Sequence, residues 1–476
     1  MTSASDRQLS LAALIALVVG SMVGAGIFTL PAKFGRASGG LGALVAWSIA
    51  GTGMLMLAFV FQTLSRRRPD LDAGIYAYAK AGFGNYLGFA SALGYWTTCC
   101  LAQLACLILI KATLGTFFPI FGDGSTPVAV LTGSALLWSV HLLVLRGIKQ
   151  AAALNTIATV AKIVPLFVFI AAALAAFRAD VFAANFRGAT AAGVGSLVDQ
   201  VRGTMLVTVF VFVGIEGASV YSRYARRRAD VGLATVLGFL VVLTLLVLVT
   251  MLSYGVLPRA QLGALPTPSV AGVMQAIVGP WGAVFIGVSL LISVLGNYLS
   301  WALLAAEVLF SAARHETMPS FLTRESDTQV PVAALWLSNL VIQAFLIVTS
   351  FAEETFALAL RMTSSMTLLP YLLVAAFGLQ LAWTGETYDA DPRGRAGDLM
   401  RAAIAAVYAA GMICAGGLTF LLLSAVIYAP GSALYVLARR EQQATVFTAT
   451  ERVVFGLVVA AALAGVYGLV SGSIAV

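Results

Sequence analysis

The stretch GSMVGAGIF, residues 20–28, decides how this chain folds. Gly20, Gly24 and Gly26 interrupt an apolar run at its middle, and each glycine costs a helix interior about 1 kcal/mol relative to alanine. Three so close together invite local unwinding. The same spacing has a plainer reading, because Gly20 and Gly24 form the small-x-x-x-small pair through which membrane helices pack tightly.

A second interruption breaks the tie. VFVFVGIEGAS, residues 209–219, places Gly214, Glu216 and Gly217 in the middle of the sixth apolar run. The first and sixth runs hold corresponding places in two five-run halves. That pairing is the pattern of inverted-repeat transporters, whose broken helices offer backbone N–H and C=O groups to a substrate at the membrane midplane. The N–H groups freed at the first break suit a carboxylate, by hydrogen bond and by dipole.

The rest of the chain agrees with a membrane setting. Of 476 residues, 60% are hydrophobic and 10% charged, where a soluble domain carries roughly 45–50% and about 25%. A water-soluble fold is excluded, and an all-α integral membrane protein is expected. Apolar spans are read at 10–32, 40–63, 85–118, 127–145, 152–176, 203–224, 231–256, 282–312, 332–351, 355–382, 400–416, 418–437 and 450–472. This makes thirteen, with twelve the alternative. The Pro- and Gly-rich stretch from Leu257 to Pro280 is too polar to span and long enough for a short interfacial helix.

The net charge of +8 does not point to nucleic acid, because the basic residues sit in short clusters between apolar runs. Arg66 to Arg68, Arg146, Lys149, Arg226 to Arg228, Arg314, Arg439 and Arg440 all fall on one side if the N-terminus is cytoplasmic, which satisfies the positive-inside rule. No basic segment or small-residue cleavage site precedes the first run, so a removable signal peptide is not expected. The four cysteines lack the spacing of a zinc site or a disulfide framework. With two histidines, no phosphate-binding loop and no paired carboxylates outside loops, neither catalytic machinery, nor a cofactor, nor a metal site is expected.

Ionisable groups inside spans are costly and mark function by default. Glu216 at the second break either couples substrate occupancy to a gate or is a structurally paired carboxylate. Lys162, in the fifth run, either stays charged against backbone carbonyls or carries a proton. Glu307, in the eighth, either serves an inner gate or anchors a packed helix. Lys111 and Arg361 lie about two turns from the outer ends of their spans, so their stems are expected to snorkel to the surface. Trp96, Trp301, Phe28 and Phe210 are aromatics placed near the expected cavity or its rims.

GSMVGAGIF with LPAKFG, RRRPDLDAGIYAYAKAGFG, VGIEGAS and LLAAEVLFSAARHETMPSFL, in that order, resemble the amino acid/polyamine/organocation family over nearly the whole chain. The likeness is greatest to its basic amino acid antiporters of the arginine/ornithine type. The resemblance implies a leucine-transporter-like fold with inverted repeats at 1–176 and 203–382 and peripheral helices at 400–472, with broken first and sixth helices. It implies a substrate site at Met22, Ala25 and Gly26, at Gln103 and Cys106, at Phe210, Val213 and Glu216, and at Trp301. Gln103 stands where the family's arginine/agmatine exchangers carry asparagine, and Phe210 where they carry tryptophan. Lys162 resembles the lysine that replaces sodium in some members, and with Glu216 and Glu307 forms the expected coupling and gating set. The implied activity is alternating-access exchange of amino acids across a bacterial inner membrane, with the lipid bilayer and small amino acids as partners and a homodimer as the allowed oligomer. Proton symport and a membrane amino-acid sensor are the alternatives, although no loop is large enough for a sensor's output module.

Overall fold

The computed structural model describes residues 10–71, 74–146, 148–187, 195–217, 225–327, 330–349, 355–389 and 392–474; the side chains of 148–161, 228–229, 349 and 355 lie outside that description. The described residues are helical apart from turns, short connections and one isolated bridge. Among the described residues eight helices are long and apolar enough to cross a bilayer, and two bent pairs bring the total to as many as ten. The protein is therefore a multi-pass membrane protein.

The first span is broken. Helix α1 (Leu11–Met22) starts on Ser10, whose side chain accepts from the Ala13 N–H, and stops at Val23. A 3-10 turn over Ala25–Thr29 leads into α2 (Leu30–Ala37), and the two halves are bent by 42°. Next come α3 (Gly40–Arg67), α4 (Ile75–Phe83), α5 (Asn85–Phe117), α6 (Pro127–Leu145) and α7 (Ile148–Ala175). Pro127 suits the first turn of α6, where its missing N–H costs nothing, and Thr126 caps the same end.

Short α8 (Ala179–Arg187) turns 98° away from α7. It was not expected as a separate element. It is pinned by Asn185, whose Nδ2 donates to the carbonyls of Tyr254 (2.6 Å) and Leu257 (2.9 Å). Helix α9 (Leu197–Phe212) begins with a capping box in which Ser196 and Asp199 satisfy each other's backbone N–H groups. It ends at the second break; residues 218–224, which would continue the sixth span and include Arg223, lie outside the description.

Helix α10 (Arg228–Val256) follows, then α11 (Arg259–Ala264) and α12 (Ser269–Val278), so the polar stretch after 257 holds two short helices where one was expected. The remainder is α13 (Pro280–Arg314), α14 (Val332–Thr349), α15 (Thr355–Thr384), α16 (Arg395–Glu441) and α17 (Ala449–Val470). With 47 residues, α16 would measure about 70 Å as a straight rod, over twice the ~30 Å hydrocarbon core. Its helical run is interrupted at Gly417, at φ 81° and ψ 169°, a conformation that only glycine adopts at little cost.

Burial ranks the spans. Helix α5 is enclosed over 72% of its apolar window and packs against α13 and α15. Helix α17 is enclosed over 17% and leans on α16, so it is peripheral while α5 is central.

Candidate functional site

Both breaks converge on one small cavity. Met22, Ala25 and Gly26 line it from the first break, Phe210 and Val213 from the end of α9, Cys106 from α5 and Trp301 from α13. Ser21, Asn297 and Thr363 add polar groups. Among the described residues no charged side chain lines it, and its open volume is about 20 Å³, room for roughly one water molecule. The centre is closed.

Close approach shapes this closure. A Cβ on Gly26 would stand 2.6 Å from Val211 Cγ1 and 3.0 Å from the Phe210 ring, so the first break can meet α9 only through glycine. Phe210, which lines the cavity, also meets Phe356 edge-on at 6.4 Å.

The broken backbone is stitched by polar contacts. The Ser21 hydroxyl donates to the Gly214 carbonyl (2.8 Å), joining the two breaks directly. Gly214 itself has φ 107°, where a side chain would be strained. Fully buried Lys162 donates from Nζ to the Gly20 carbonyl (2.7 Å), one of the carbonyls at the end of α1, and to Asn297 Oδ1 (3.3 Å). Asn297 in turn donates from Nδ2 to Cys106 Sγ (3.6 Å) and so links the lysine to the cavity wall.

Fully buried Glu216 receives three hydrogen bonds. Tyr95 on α5 donates to Oε1 (2.5 Å), Tyr371 on α15 donates to Oε2 (2.6 Å), and the Gly214 N–H donates to Oε1 (3.1 Å). The carboxylate is thus tied between two helices behind the turn and does not line the cavity.

Gln103, expected to touch a substrate side chain, also stands outside the lining. Its Nε2 donates to the carbonyls of Cys99 (3.2 Å) and Trp301 (3.4 Å), while its buried Oε1 has no partner among the described residues. Trp96 points away, donating to Ser338 on α14 (2.8 Å). Glu307 is half-buried, six residues beyond Trp301 on α13, and is not in the lining.

The snorkelling expectation fails for Lys111, which is only 3% exposed. Its stem lies against Gly124 and Gly133, where an added Cβ would stand 3.2 Å from Lys111 Cβ and Cδ respectively, closer than ordinary contact. Arg361 is exposed, yet it opens onto a second, larger hollow rather than the cavity. Reasoning from sequence missed Asn297, Ser21 and Thr363. The lone asparagine of α13, one helical turn before Trp301, was the available signal.

A many-spanned helical protein with two broken helices closing over a small neutral cavity is built to pass a small molecule across a membrane. The chain belongs to the amino acid permease family, whose family model matches residues 9–450, and is thus a transporter rather than an enzyme. It is 52% identical to the arginine/ornithine antiporter of Pseudomonas aeruginosa over an alignment of 479 positions, covering 99% of each chain. It is 43% identical to the L-lysine transport protein of Corynebacterium glutamicum, covering 99% of this chain and 97% of that one. With the arginine/agmatine antiporter of Chlamydia pneumoniae it shares 38% identity over 94% of both chains.

Proposed function

We propose that the protein exchanges basic amino acids, arginine against ornithine, by alternating access. The observation that carries this reading is the pair of broken spans meeting at a closed cavity, in a chain 52% identical from end to end to an arginine/ornithine antiporter. The α-carboxylate of the substrate meets the leading N–H groups of the turn at Ala25 and Gly26, which have no partner within the turn itself. The α-amino group meets carbonyls near Met22. Trp301 covers the aliphatic stem, and Cys106, Phe210 and Val213 bound it. When the centre opens, the distal cation reaches towards Gln103 Oε1, an acceptor without a partner among the described residues, and towards Glu216.

In this reading residues 1–176 and 203–382 are inverted five-helix repeats and 400–472 are peripheral. Helix α16 makes two crossings separated at Gly417, giving thirteen in all. The N-terminus is cytoplasmic, the membrane is the bacterial inner membrane, and the end of α17 faces the periplasm. Alkaline phosphatase fused after Val470 is expected to be active, and an inactive fusion alongside a working cytoplasmic reporter there would reverse the orientation.

The deciding experiment is counterflow in proteoliposomes loaded with arginine, ornithine, lysine, a neutral amino acid or none. Labelled arginine is expected to enter only vesicles preloaded with a basic amino acid. Exchange confined to neutral or acidic amino acids would refute the substrate assignment. A second reading, proton symport, is favoured by one feature: both partners of Lys162 Nζ are neutral acceptors. It predicts uptake into empty vesicles under an inward proton gradient.

A further inference from the structure

Helix α17 is enclosed over only 17% of its apolar window, yet its first turn reaches a helix that lines the cavity. Helix α5 starts on Gly84, at φ 88°, which has no side chain to cap the free N–H groups of the first turn. Glu451, 365 residues further along the chain than Tyr86, supplies an acceptor: its Oε1 receives the Tyr86 N–H (2.9 Å). The same oxygen receives the Tyr435 hydroxyl of α16 (3.3 Å). Oε2 receives the Thr448 N–H (2.8 Å), which closes the capping box of α17 itself. One carboxylate thus joins three helices, and at two of them it stands at the positive end, where an anion is favoured.

The joint is packed as well as bonded. The Tyr86 ring meets Tyr435 at 5.2 Å, Phe447 at 5.5 Å and Phe455 at 6.1 Å, each edge-on, and its hydroxyl lies 3.0 Å from Ser432 Oγ. Tyr86 and Tyr435 are both buried, and hydrogen bonds to a carboxylate strengthen where rings keep water away. At the surface beside it, Gln442, at the end of α16, donates to the Glu316 carbonyl (2.8 Å) just beyond α13. What α5 carries gives the joint its importance. Tyr95, about 13 Å along the helix from Tyr86, holds Glu216 at the second break, and Cys106 lines the cavity. Glu451 itself stands outside the lining.

We propose that Glu451 is a positioning residue for transport, holding α5 so that the cavity wall at Cys106 and the Tyr95–Glu216 contact keep their places while the broken spans move. It lies just past residue 450, where the match to the family model ends. The role sets how fast closed and open forms interconvert, not which amino acid is bound, so it stands or falls apart from the arginine/ornithine reading.

The test is counterflow by the full-length protein in proteoliposomes, with whichever amino acid wild type carries fastest, at limiting and saturating concentrations and per folded transporter. Glu451→Ala is expected to lower the maximal rate by about fivefold, the size of a lost helix cap, with half-saturation within about twofold of wild type. Thr448→Ala is the control: it removes the hydroxyl from the α17 box, leaves the Tyr86 bond, and should keep the wild-type rate even where the thermal midpoint drops. Hydrogen exchange of the amides in the first turn of α5 should quicken in Glu451→Ala and not in Thr448→Ala. If Glu451→Ala does not fold, Tyr435→Phe, which removes one donor to Oε1, is read in the same way, with a fall of about twofold. A maximal rate equal to wild type, a rate and half-saturation that shift together, unchanged amide exchange, or equal slowing by Thr448→Ala would overturn the proposal.

Discussion

Two buried charges flank the cavity, and they are tied down in opposite ways. Lys162, on α7, meets the end of the first broken helix, donating to the Gly20 carbonyl and to Asn297. Glu216, in the second break, accepts from the Gly214 N–H and from two tyrosines. Among the described residues neither forms an ion pair. The difference follows from helix polarity. A helix that stops early leaves carbonyls unsatisfied, which a cation suits, whereas a segment that restarts leaves N–H groups, which an anion suits. Each charge therefore stands in for backbone partners lost where its helix breaks, the lysine from a neighbouring helix and the glutamate from its own chain.

If that division holds, the lysine is the more damaging to lose, because no other side-chain donor in the description reaches the Gly20 carbonyl. Lys162→Ala is expected to cut arginine counterflow by at least ~100-fold at normal membrane abundance, since it leaves buried acceptors unpaired and opens a gap. Wild-type rates would show that the ammonium is dispensable and break the comparison at its stronger end.

Glu216→Gln comes next. The amide keeps one acceptor oxygen but places a donor where a tyrosine hydroxyl now donates, so at least one contact must reverse. Exchange is expected to fall by ~10-fold, with protein levels unchanged. Rates equal to wild type at every pH from 5 to 8 would reduce the carboxylate to packing.

Removing one of its donors sharpens the same point. Tyr371→Phe leaves the Tyr95 and Gly214 bonds in place, and the loss of one charge-assisted hydrogen bond should slow exchange by only ~3- to 10-fold. A loss as deep as that of Glu216→Gln would mean that the α15 contact alone transmits the coupling.

The smallest effect is expected at Lys111, buried against Gly124 and Gly133 away from the cavity lining. Lys111→Met fills the same space with a similar unbranched stem. Its arginine affinity, read from competition in counterflow, should stay within about twofold of wild type. A marked tightening would reveal a repulsion reaching the site.

What the sequence disclosed tracks the range of each interaction. Both breaks were legible because three glycines at 20–26 and the Gly-Ile-Glu-Gly run at 214–217 are local features. The halves of α16 were legible as runs 400–416 and 418–437 because Gly417 separates them in the chain itself. Partnerships were not legible. Tyr95 and Tyr371 lie 121 and 155 residues from Glu216, and Asn297 lies 135 from Lys162, so only folding brings them together. Lys111 misled for a related reason: its position near a span end suggests an escape to water, but the glycines that enclose it belong to other segments.

The narrowness of the centre has a further consequence. A cavity of about 20 Å³ walled by Phe210, Val213 and Trp301 holds roughly one water molecule and not an amino acid. Cargo and this closed form exclude one another. Loading must therefore begin with the two breaks moving apart, and the narrow form is the empty carrier's resting shape rather than a step with freight aboard.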